Sequence, residues 1–266
     1  MGKGCGIDLG GSGIKAAIVD LTTGELTSER VRLATPTPST PGAVAAVVAD
    51  VIPQLSWNGP VGCTFPAVVT AGVARTAANV DPSWVGTNIE HVIGGALGVA
   101  VTALNDADAA GVAEANFGAA RDHSGLVVVI TLGTGIGTAL VYDGQLVPNA
   151  ELGHLEVGGV DAETTASAGA RERAGLGWKP WAAHLQAYLK ALEDYLWPDL
   201  LIIGGGASKK AAKFVPELDL RTPVVPAVLR NQAGIVGSAM AADLAGFGAG
   251  RGAPGDPPRA GVGESA

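Results

Sequence analysis

A short glycine-rich pattern occurs twice in this chain and constrains its fold more than any other feature. Residues 7–20 read IDLGGSGIKAAIVD, and residues 130–143 read ITLGTGIGTALVYD. In both copies apolar and β-branched residues flank the glycines, and a second turn follows, TTGEL in the first copy and DGQL in the second. Each copy therefore predicts two strands joined by a glycine turn, and the recurrence predicts two similar α/β halves.

The strand after the first turn argues against two familiar phosphate-binding turns. In the Rossmann fingerprint and in the P-loop, a helix follows the glycines directly. Here residues 14–20 read as a strand, residues 26–33 alternate like a further strand, and the spacing is G-G-S-G rather than G-x-G-x-x-G. A nicotinamide-dependent oxidoreductase is therefore disfavoured. Two glycine hairpins that face each other across a cleft would instead present backbone N–H groups to a chain of phosphates.

A third glycine turn lies in LIIGGGASKKAAKF, residues 201–214. The apolar residues before it predict a buried strand, and the residues after it predict a helix. The N-terminus of a helix favours an anion because its N–H groups and dipole point outward. Lys209, Lys210 and Lys213 add positive charge at the same place.

Composition excludes several other classes of protein. The formal net charge of −8 disfavours a nucleic-acid binder, which needs a basic face. Cys5 and Cys63 are the only cysteines in 266 residues, too few for a disulfide framework or a cysteine-rich zinc site. No apolar run approaches the ~18 residues that span a membrane. We expect a cytoplasmic protein with no membrane partner.

In chain order, the motifs IDLGGSGIK, LNDADAAG, TLGTGIG, ELGH and IIGGG resemble those of the ROK-family sugar kinases, within the actin/hexokinase-like superfamily. The resemblance covers residues 5–242 and implies a two-lobed actin-like (ribonuclease H-like) α/β fold, each lobe a mixed sheet with helices and a cleft between them. We expect the first lobe over residues 1–106, joined by a C-terminal helix over 231–245. The second lobe would span 107–230, and the glycine- and proline-rich residues 246–266 would form a disordered tail.

One departure from the wider family concerns zinc. Most members carry a CxCGxxGC loop soon after the GH motif, whereas the segment after His154 here contains no cysteine. We therefore expect no structural zinc. The polyphosphate-using glucokinases of the family are expected to lack that loop, and TFPAVV, RTAANVDPSW and LDLRTPVVPA also resemble them. The resemblance implies a homodimer that transfers the terminal phosphoryl group of polyphosphate, with ATP as a second donor, to the C6 hydroxyl of D-glucose.

Asp106 is the candidate catalytic base. It follows the apolar stretch VAVTAL and would lie at a strand end, where an α/β cleft gathers its ligands. By the family motif its carboxylate would take the proton from the C6 hydroxyl of glucose. An alternative is that Asn105 and Asp106 cap the helix that begins at Ala107.

The resemblance also implies a sugar site. Asn105, Glu151 and His154 would hydrogen-bond the sugar hydroxyls. In zinc-containing relatives a further glutamate after the loop touches the sugar; here Glu163 is the favoured counterpart and Glu156 the alternative. Thr64 and Pro66, in T-F-P-A, would shape the same pocket.

The phosphate-binding residues would come from the three glycine turns. Asp8 would face the Mg²⁺-bound phosphates, through water, because Mg²⁺ keeps several waters and takes one or two carboxylates. Lys15 could instead be a solvated strand residue. The predicted phosphate-binding residues are Asp8, Gly10, Gly11, Ser12, Gly13, Lys15, Gly133, Thr134, Gly135, Gly205, Gly206 and Lys209.

The remaining alternatives differ mainly in the phosphoryl donor that the protein would use. A long polyanion needs a basic track, which Lys209, Lys210, Lys213 and Arg221 could supply. An ATP-only glucokinase would instead need an adenine pocket near GGGAS. A non-catalytic sugar sensor is a third alternative, but Asp106 and Asp8 argue against it because sensing needs neither a base nor a metal.

Overall fold

The computed structural model describes residues 2–11 and 13–249. The first part of the chain forms a five-stranded mixed sheet and a small hairpin. Its strands are β1 (Lys3–Gly10), β2 (Gly13–Asp20), β3 (Val31–Leu33), β4 (Val61–Phe65), β5 (Val69–Thr70), β6 (Val73–Ala74) and β7 (Val101–Asn105). The helices between β3 and β7 are α1 (Pro41–Val48), α2 (Val51–Leu55) and α3 (Ile89–Leu97). The sheet order is β3-β2-β1-β4-β7, and β5 pairs with β6.

Helix α4 (Asp106–Phe117) leads into a second five-stranded sheet. The strands of this part are β8 (Leu126–Leu132), β9 (Ile136–Tyr142), β10 (Gln145–Val147), β11 (Glu156–Val157), β12 (Val160–Asp161), β13 (Leu200–Gly204) and β14 (Val224–Pro226). Its helices are α5 (Glu163–Ala166), α6 (Ala168–Arg173) and α7 (Trp178–Leu196), and the chain then forms α8 (Ala233–Ala249). The sheet order is β10-β9-β8-β13-β14, and β11 pairs with β12.

The two large sheets share one topology. Each begins with an antiparallel meander of three strands, and the first strand of the meander then pairs in parallel with a later strand, which pairs in parallel with another. The glycine turn joins the first two strands in both lobes. The predicted two-lobed α/β fold with duplicated hairpins is confirmed, and the segment after the first turn is a strand, as predicted.

Helices α4 and α8 pack against each other and link the two sheets. Helix α4 contacts β8 and β9, whereas α8 contacts β1 and β4. Small residues allow this close approach: a Cβ on Gly62 would overlap the carbonyl oxygen of Ser238, and a Cβ on Gly237 would overlap that of Ala109. The alanine- and glycine-rich sequences of both helices therefore reflect the tight crossing between the lobes.

The core has three parts. One apolar cluster lies in each lobe, and a third surrounds the crossing of α4 and α8. Cys5 on β1 and Cys63 on β4 are fully buried in the first-lobe cluster. Burial raises the pKa of both thiols to about 12, so they stay neutral and pack as small apolar groups.

Local structure differs from expectation at three places. Strand β3 is limited to Val31–Leu33 because the Ser28 hydroxyl, in the segment before it, accepts the N–H of Ile18. The third glycine turn leads into a kinked 3₁₀ helix, Gly206–Lys213, rather than a regular α-helix. Helix α8 extends to Ala249, four residues beyond the predicted end; the rest of the predicted tail lies outside the described residues. No helix in the described part of the chain is long and apolar enough to span a bilayer.

Candidate active site

Asp106 and Asn105 occupy different positions at the start of α4. Asn105 is the N-cap: its Oδ1 accepts the N–H groups of Ala107 at 2.7 Å and Asp108 at 3.2 Å, and its Nδ2 donates to the Ala67 carbonyl at 3.0 Å. Asp106 is the first helical residue; it is exposed as a whole residue, and its Oδ1 also accepts the Ala107 N–H at 2.9 Å. Since Asn105 satisfies the helix end, the Asp106 carboxylate remains available to a ligand.

The surroundings of Asp106 make its carboxylate more basic. Desolvation by the cleft walls is the largest cause, and the charges of Asp8 and Glu151 act in the same direction, raising the pKa to about 6. The Ala107 N–H opposes this shift. Asp106 is nevertheless an exposed residue, so part of its surface remains in contact with solvent. A carboxylate with this pKa is ionised at neutral pH and is a better proton acceptor than an ordinary aspartate.

Asp8 is held in place by two neighbours in the first sheet. Its Oδ2 lies 2.8 Å from Lys15 Nζ, across the hairpin pair that Asp8 forms with Lys15. Its Oδ1 accepts a hydrogen bond from the Thr64 hydroxyl at 3.2 Å, and that hydroxyl accepts the Leu9 N–H. Thr64 is fully buried. Thr64 thus orients Asp8 rather than facing the cleft, while Pro66 follows β4 and is partly exposed.

The carboxylates of Asp8 and Asp106 line the same cavity, whose volume is about 120 Å³. Its lining includes Asp8, Asp106, Thr131, Gly205 and Arg230. These residues come from both sheets, so the cavity lies in the cleft between the lobes. The described residues of the two hairpin turns lie outside its lining.

The second hairpin turn has free backbone donors. The Gly133 N–H donates to the Gly135 carbonyl at 3.0 Å, and the Gly133 carbonyl accepts from Gly169 at 2.9 Å. Among the described residues, Thr134 and Gly135 donate their N–H groups to no acceptor. The turn can therefore offer two N–H groups to an anion.

The first and third turns are arranged differently. Gly10 pairs with Gly13 at the end of the first hairpin, Gly11 is exposed, and Ser12 lies outside the described residues. Gly205 lines the cavity, and Gly206 begins the 3₁₀ helix that carries Lys209.

The predicted basic track is only partly assembled. Lys209 lines a larger groove next to the cavity, whose lining does not include Lys210 or Lys213. Arg221 stacks on the Trp197 ring at 3.7 Å and lies near Glu193. Of the four predicted cations, only Lys209 borders the candidate site.

On the sugar side, one aspartate organises two predicted residues. Asp161 Oδ2 lies 2.9 Å from His154 Nδ1, and Asp161 Oδ1 accepts the Glu163 N–H at 2.9 Å. The hydrogen bond with Asp161 is the main cause of a raised His154 pKa. With Nδ1 engaged, Nε2 is the ring atom left for a ligand. Glu163 Oε2 accepts the Ile136 N–H at 2.9 Å, which ties the sugar side to the second hairpin turn. The alternative, Glu156, is exposed opposite Asp161 on the β11–β12 hairpin.

The loop that carries Glu151 is anchored by a buried carboxylate. Asp108 is 2% exposed, and its Oδ2 accepts the Asn149 N–H at 2.9 Å. Burial and the charges of Glu151 and Asp106 raise the Asp108 pKa to about 6. Glu151 is exposed and close enough to influence Asp106 electrostatically. Asp108 thus positions this loop from beneath the site.

Sequence reasoning missed Asp161, Arg230 and the anchoring role of Asp108. The sequence does contain a hint for Asp161, because this residue lies two positions before Glu163, which is itself a predicted sugar-binding residue. Arg230 had one as well, because it is the only basic residue between positions 222 and 249. Asp108 had none, because its partner lies 41 residues away.

A family model with the description "ROK family" matches residues 4–172. The chain belongs to the ROK family. It is 56% identical over 239 residues to the polyphosphate glucokinase of Mycobacterium tuberculosis, with 90% of each chain covered. It is similar in structure to the inorganic polyphosphate/ATP-glucomannokinase of Arthrobacter sp. strain KM, at 53% identity and a TM-score of 0.88, covering 92% of this chain and 100% of that one.

A more distant ROK-family structure also matches. A Streptomyces griseus glucokinase, solved in complex with glucose and AMPPNP, shares 25% identity at a TM-score of 0.77, covering 91% of this chain and 100% of that chain. The comparisons thus place the chain nearer to relatives named for polyphosphate than to this glucokinase.

Proposed function

We propose that this protein is a glucokinase that transfers the terminal phosphoryl group of inorganic polyphosphate to the C6 hydroxyl of D-glucose, with ATP as a second donor. The observation that carries the proposal is the Asp106 carboxylate, which follows the N-cap residue Asn105 and lines the same cavity between the lobes as Asp8. The 56% identity to a polyphosphate glucokinase over 90% of both chains supports the choice of donor. The proposal includes a cytoplasmic homodimer, as the family resemblance suggests.

In the proposed mechanism Asp106 accepts the proton of the C6 hydroxyl as the sugar oxygen attacks the terminal phosphorus. The bond from that phosphorus to the bridging oxygen breaks, and a polyphosphate one unit shorter leaves. The raised pKa of Asp106, about 6, matches a base that works near neutral pH. His154 and Glu163, both held by Asp161, would orient the sugar hydroxyls. The free N–H groups at Thr134 and Gly135 would bind phosphate oxygens.

Mg²⁺ is part of the proposal. No three His, Cys, Asp or Glu side chains in the described part of the chain gather as a metal site, but Mg²⁺ needs only one or two carboxylates and keeps waters. Asp8 and Asp106 face one cavity, and the charge of Asp8 raises the pKa of Asp106, so a cation would relieve this repulsion. Asp8, whose two oxygens already contact Lys15 and Thr64, would hold the ion through water, and the bound ion would neutralise phosphate charge.

An initial-rate assay of glucose 6-phosphate formation tests this function. Purified protein is supplied with glucose and Mg²⁺, and with either long-chain polyphosphate or ATP. We expect turnover with both donors. Turnover with ATP alone would reject polyphosphate as donor and support the ATP-only alternative.

The Asp106→Asn variant tests the base. General-base catalysis contributes about 10²- to 10⁴-fold, so the variant should lose that much in kcat. Its glucose affinity, measured by calorimetry, should stay close to that of the unmodified protein. If the variant retained full turnover, Asp106 would not be the base. If neither the variant nor the unmodified protein showed turnover, the non-catalytic sugar sensor would be favoured.

A further inference from the structure

A larger groove adjoins the cavity between Asp8 and Asp106. Its volume is about 590 Å³, and its lining includes three cationic side chains, Arg30, Lys209 and Arg230. Arg230 also lines the inner cavity, so the two spaces meet at this residue. The inner cavity, about 120 Å³, falls below the roughly 300–1,000 Å³ of typical ligand pockets. Most of an elongated donor therefore has to lie outside it.

These three cations are not neutralised by their neighbours. Within the described residues none of them forms an ion pair, whereas other cations do, as Lys190 does with Asp194 at 2.6 Å. One carboxylate, Glu25, shares the groove lining without pairing with them. The formal net charge of the chain is −8. A groove with three unpaired cations is thus a local reversal of the overall charge, which favours an anionic ligand.

The backbone that precedes Arg230 is fixed by a buried carboxylate. Glu114 on α4 is fully buried and accepts the N–H of Val228 at 3.2 Å and that of Leu229 at 2.8 Å. Arg230 itself has a φ of 49°, in the left-handed region that non-glycine residues adopt rarely. Because α4 also carries Asp106, one rigid helix sets the position of Arg230 relative to the proposed base.

We propose that this groove, the distal phosphate groove of Arg30, Lys209 and Arg230, binds the phosphates of polyphosphate that lie beyond the transferred group. The proposal rests on the proposed function. A polyphosphate chain carries negative charge along its whole length, so a row of cations leading away from the reacting end increases its affinity. Arg230 would contact the phosphates nearest the reaction, and Arg30, which lines only the outer groove, those further along.

The test compares Arg30→Gln and Arg30→Gln/Lys209→Gln with Lys213→Gln. Lys213 is exposed on the same 3₁₀ helix as Lys209 but is not part of the groove lining, so its variant controls for net charge. The donors are long-chain polyphosphate, tripolyphosphate and ATP. Loss of one exposed charge contact changes affinity by about 1.4- to fivefold. Arg30→Gln should therefore raise the KM for long-chain polyphosphate by that factor relative to the KM for tripolyphosphate, and the double variant should raise it further.

The outcomes separate the groove from the proposed function. Equal KM ratios in Arg30→Gln, Lys213→Gln and the unmodified protein would overturn the groove while leaving the function intact. An equal increase in the KM for ATP would also overturn it, since the groove would then serve a nucleotide. If the unmodified protein showed no turnover with polyphosphate, the proposed donor would fail. The groove would then be decided by binding of fluorescently labelled polyphosphate, which the double variant should weaken and Lys213→Gln should not.

Discussion

At the residue scale, the start of α4 assigns different roles to two neighbouring residues, Asn105 and Asp106. The sequence alone does not decide which of them caps the helix and which is available to a ligand. Both Asn105 and Asp106 suit an N-cap, so residue type alone cannot assign them. In the fold, Asn105 makes the capping hydrogen bonds and is buried, whereas Asp106 is exposed to the cleft. The capping hypothesis thus applies to Asn105, which leaves Asp106 free for the proposed proton transfer.

The raised pKa of Asp106 predicts an acidic limit to activity. A base works when ionised, and its pKa of about 6 lies above the ordinary value of 3.8, so activity should fall as pH drops through 6. The negative charge of Glu151 contributes to the raised pKa of Asp106. In the plot of kcat/KM against pH, Glu151→Gln should therefore move the acidic limb toward lower pH. Glu29→Gln, which removes an exposed charge outside the site, should leave the limb in place. A limb that stayed near pH 6 in Glu151→Gln would contradict the electrostatic account.

At the scale of elements, the β11–β12 hairpin forms the cysteine-free segment that follows His154. Its Asp161 accepts from Glu163 and pairs with His154, so two side chains of the proposed sugar site depend on one carboxylate. This arrangement shows how hydrogen bonds hold two predicted sugar-binding side chains in a segment without cysteine.

Asp161→Ala should therefore weaken glucose binding more than it slows chemistry. The contact between Asp161 and His154 is exposed to solvent, where such a pair is worth about 0.2–1 kcal/mol, so the KM for glucose should rise by up to about fivefold. The KM for the donor should change little, since Asp161 contacts no phosphate turn directly. Asp122→Ala, an exposed aspartate elsewhere, is the matched control. Equal increases in both KM values would indicate a general structural defect instead.

Packing of α8 on the first sheet leads to a stability prediction. A Cβ on Gly62 would overlap the Ser238 carbonyl, so Gly62→Ala should lower the free energy of unfolding by about 1–3 kcal/mol. Gly95 lies in α3 with open space around it, and Gly95→Ala should raise stability by up to about 1 kcal/mol. Urea denaturation measures both. If Gly62→Ala were as stable as the unmodified protein, α8 would not be packed as closely as described.

At the scale of the whole molecule, the fold could be predicted far more completely than the site. The duplicated hairpins follow from apolar periodicity and glycine turns, which are local properties of the chain, and the family resemblance implied the two-lobed fold. The anchors of the site are non-local: Glu114 holds backbone more than 110 residues away, and Asp108 holds Asn149. No spacing in the sequence encodes such contacts. Asp161, in contrast, has partners that are close in sequence, His154 and Glu163. Its contact with His154 could still not be predicted, because it depends on the conformation of the β11–β12 hairpin.

One further contact joins the lobes on the sugar side of the cleft. Asn149, in the loop after β10, donates its N–H to Asp108 and accepts the N–H of Val69 on β5 through Oδ1 at 3.0 Å. Its φ of 60° suits asparagine better than alanine. Asn149 therefore connects the loop that bears Glu151 to the first lobe, where closure on glucose would exclude water from the proposed reaction.

Asn149→Ala should loosen this connection and let water compete with glucose as the phosphoryl acceptor. The ratio of free phosphate to glucose 6-phosphate, measured with saturating glucose, should rise above that of the unmodified protein, and the KM for glucose should rise with it. Asn58→Ala, an exposed position in the first lobe, should change neither quantity. If Asn149→Ala raised the KM for glucose without increasing phosphate release, the contact would position the sugar loop without excluding water.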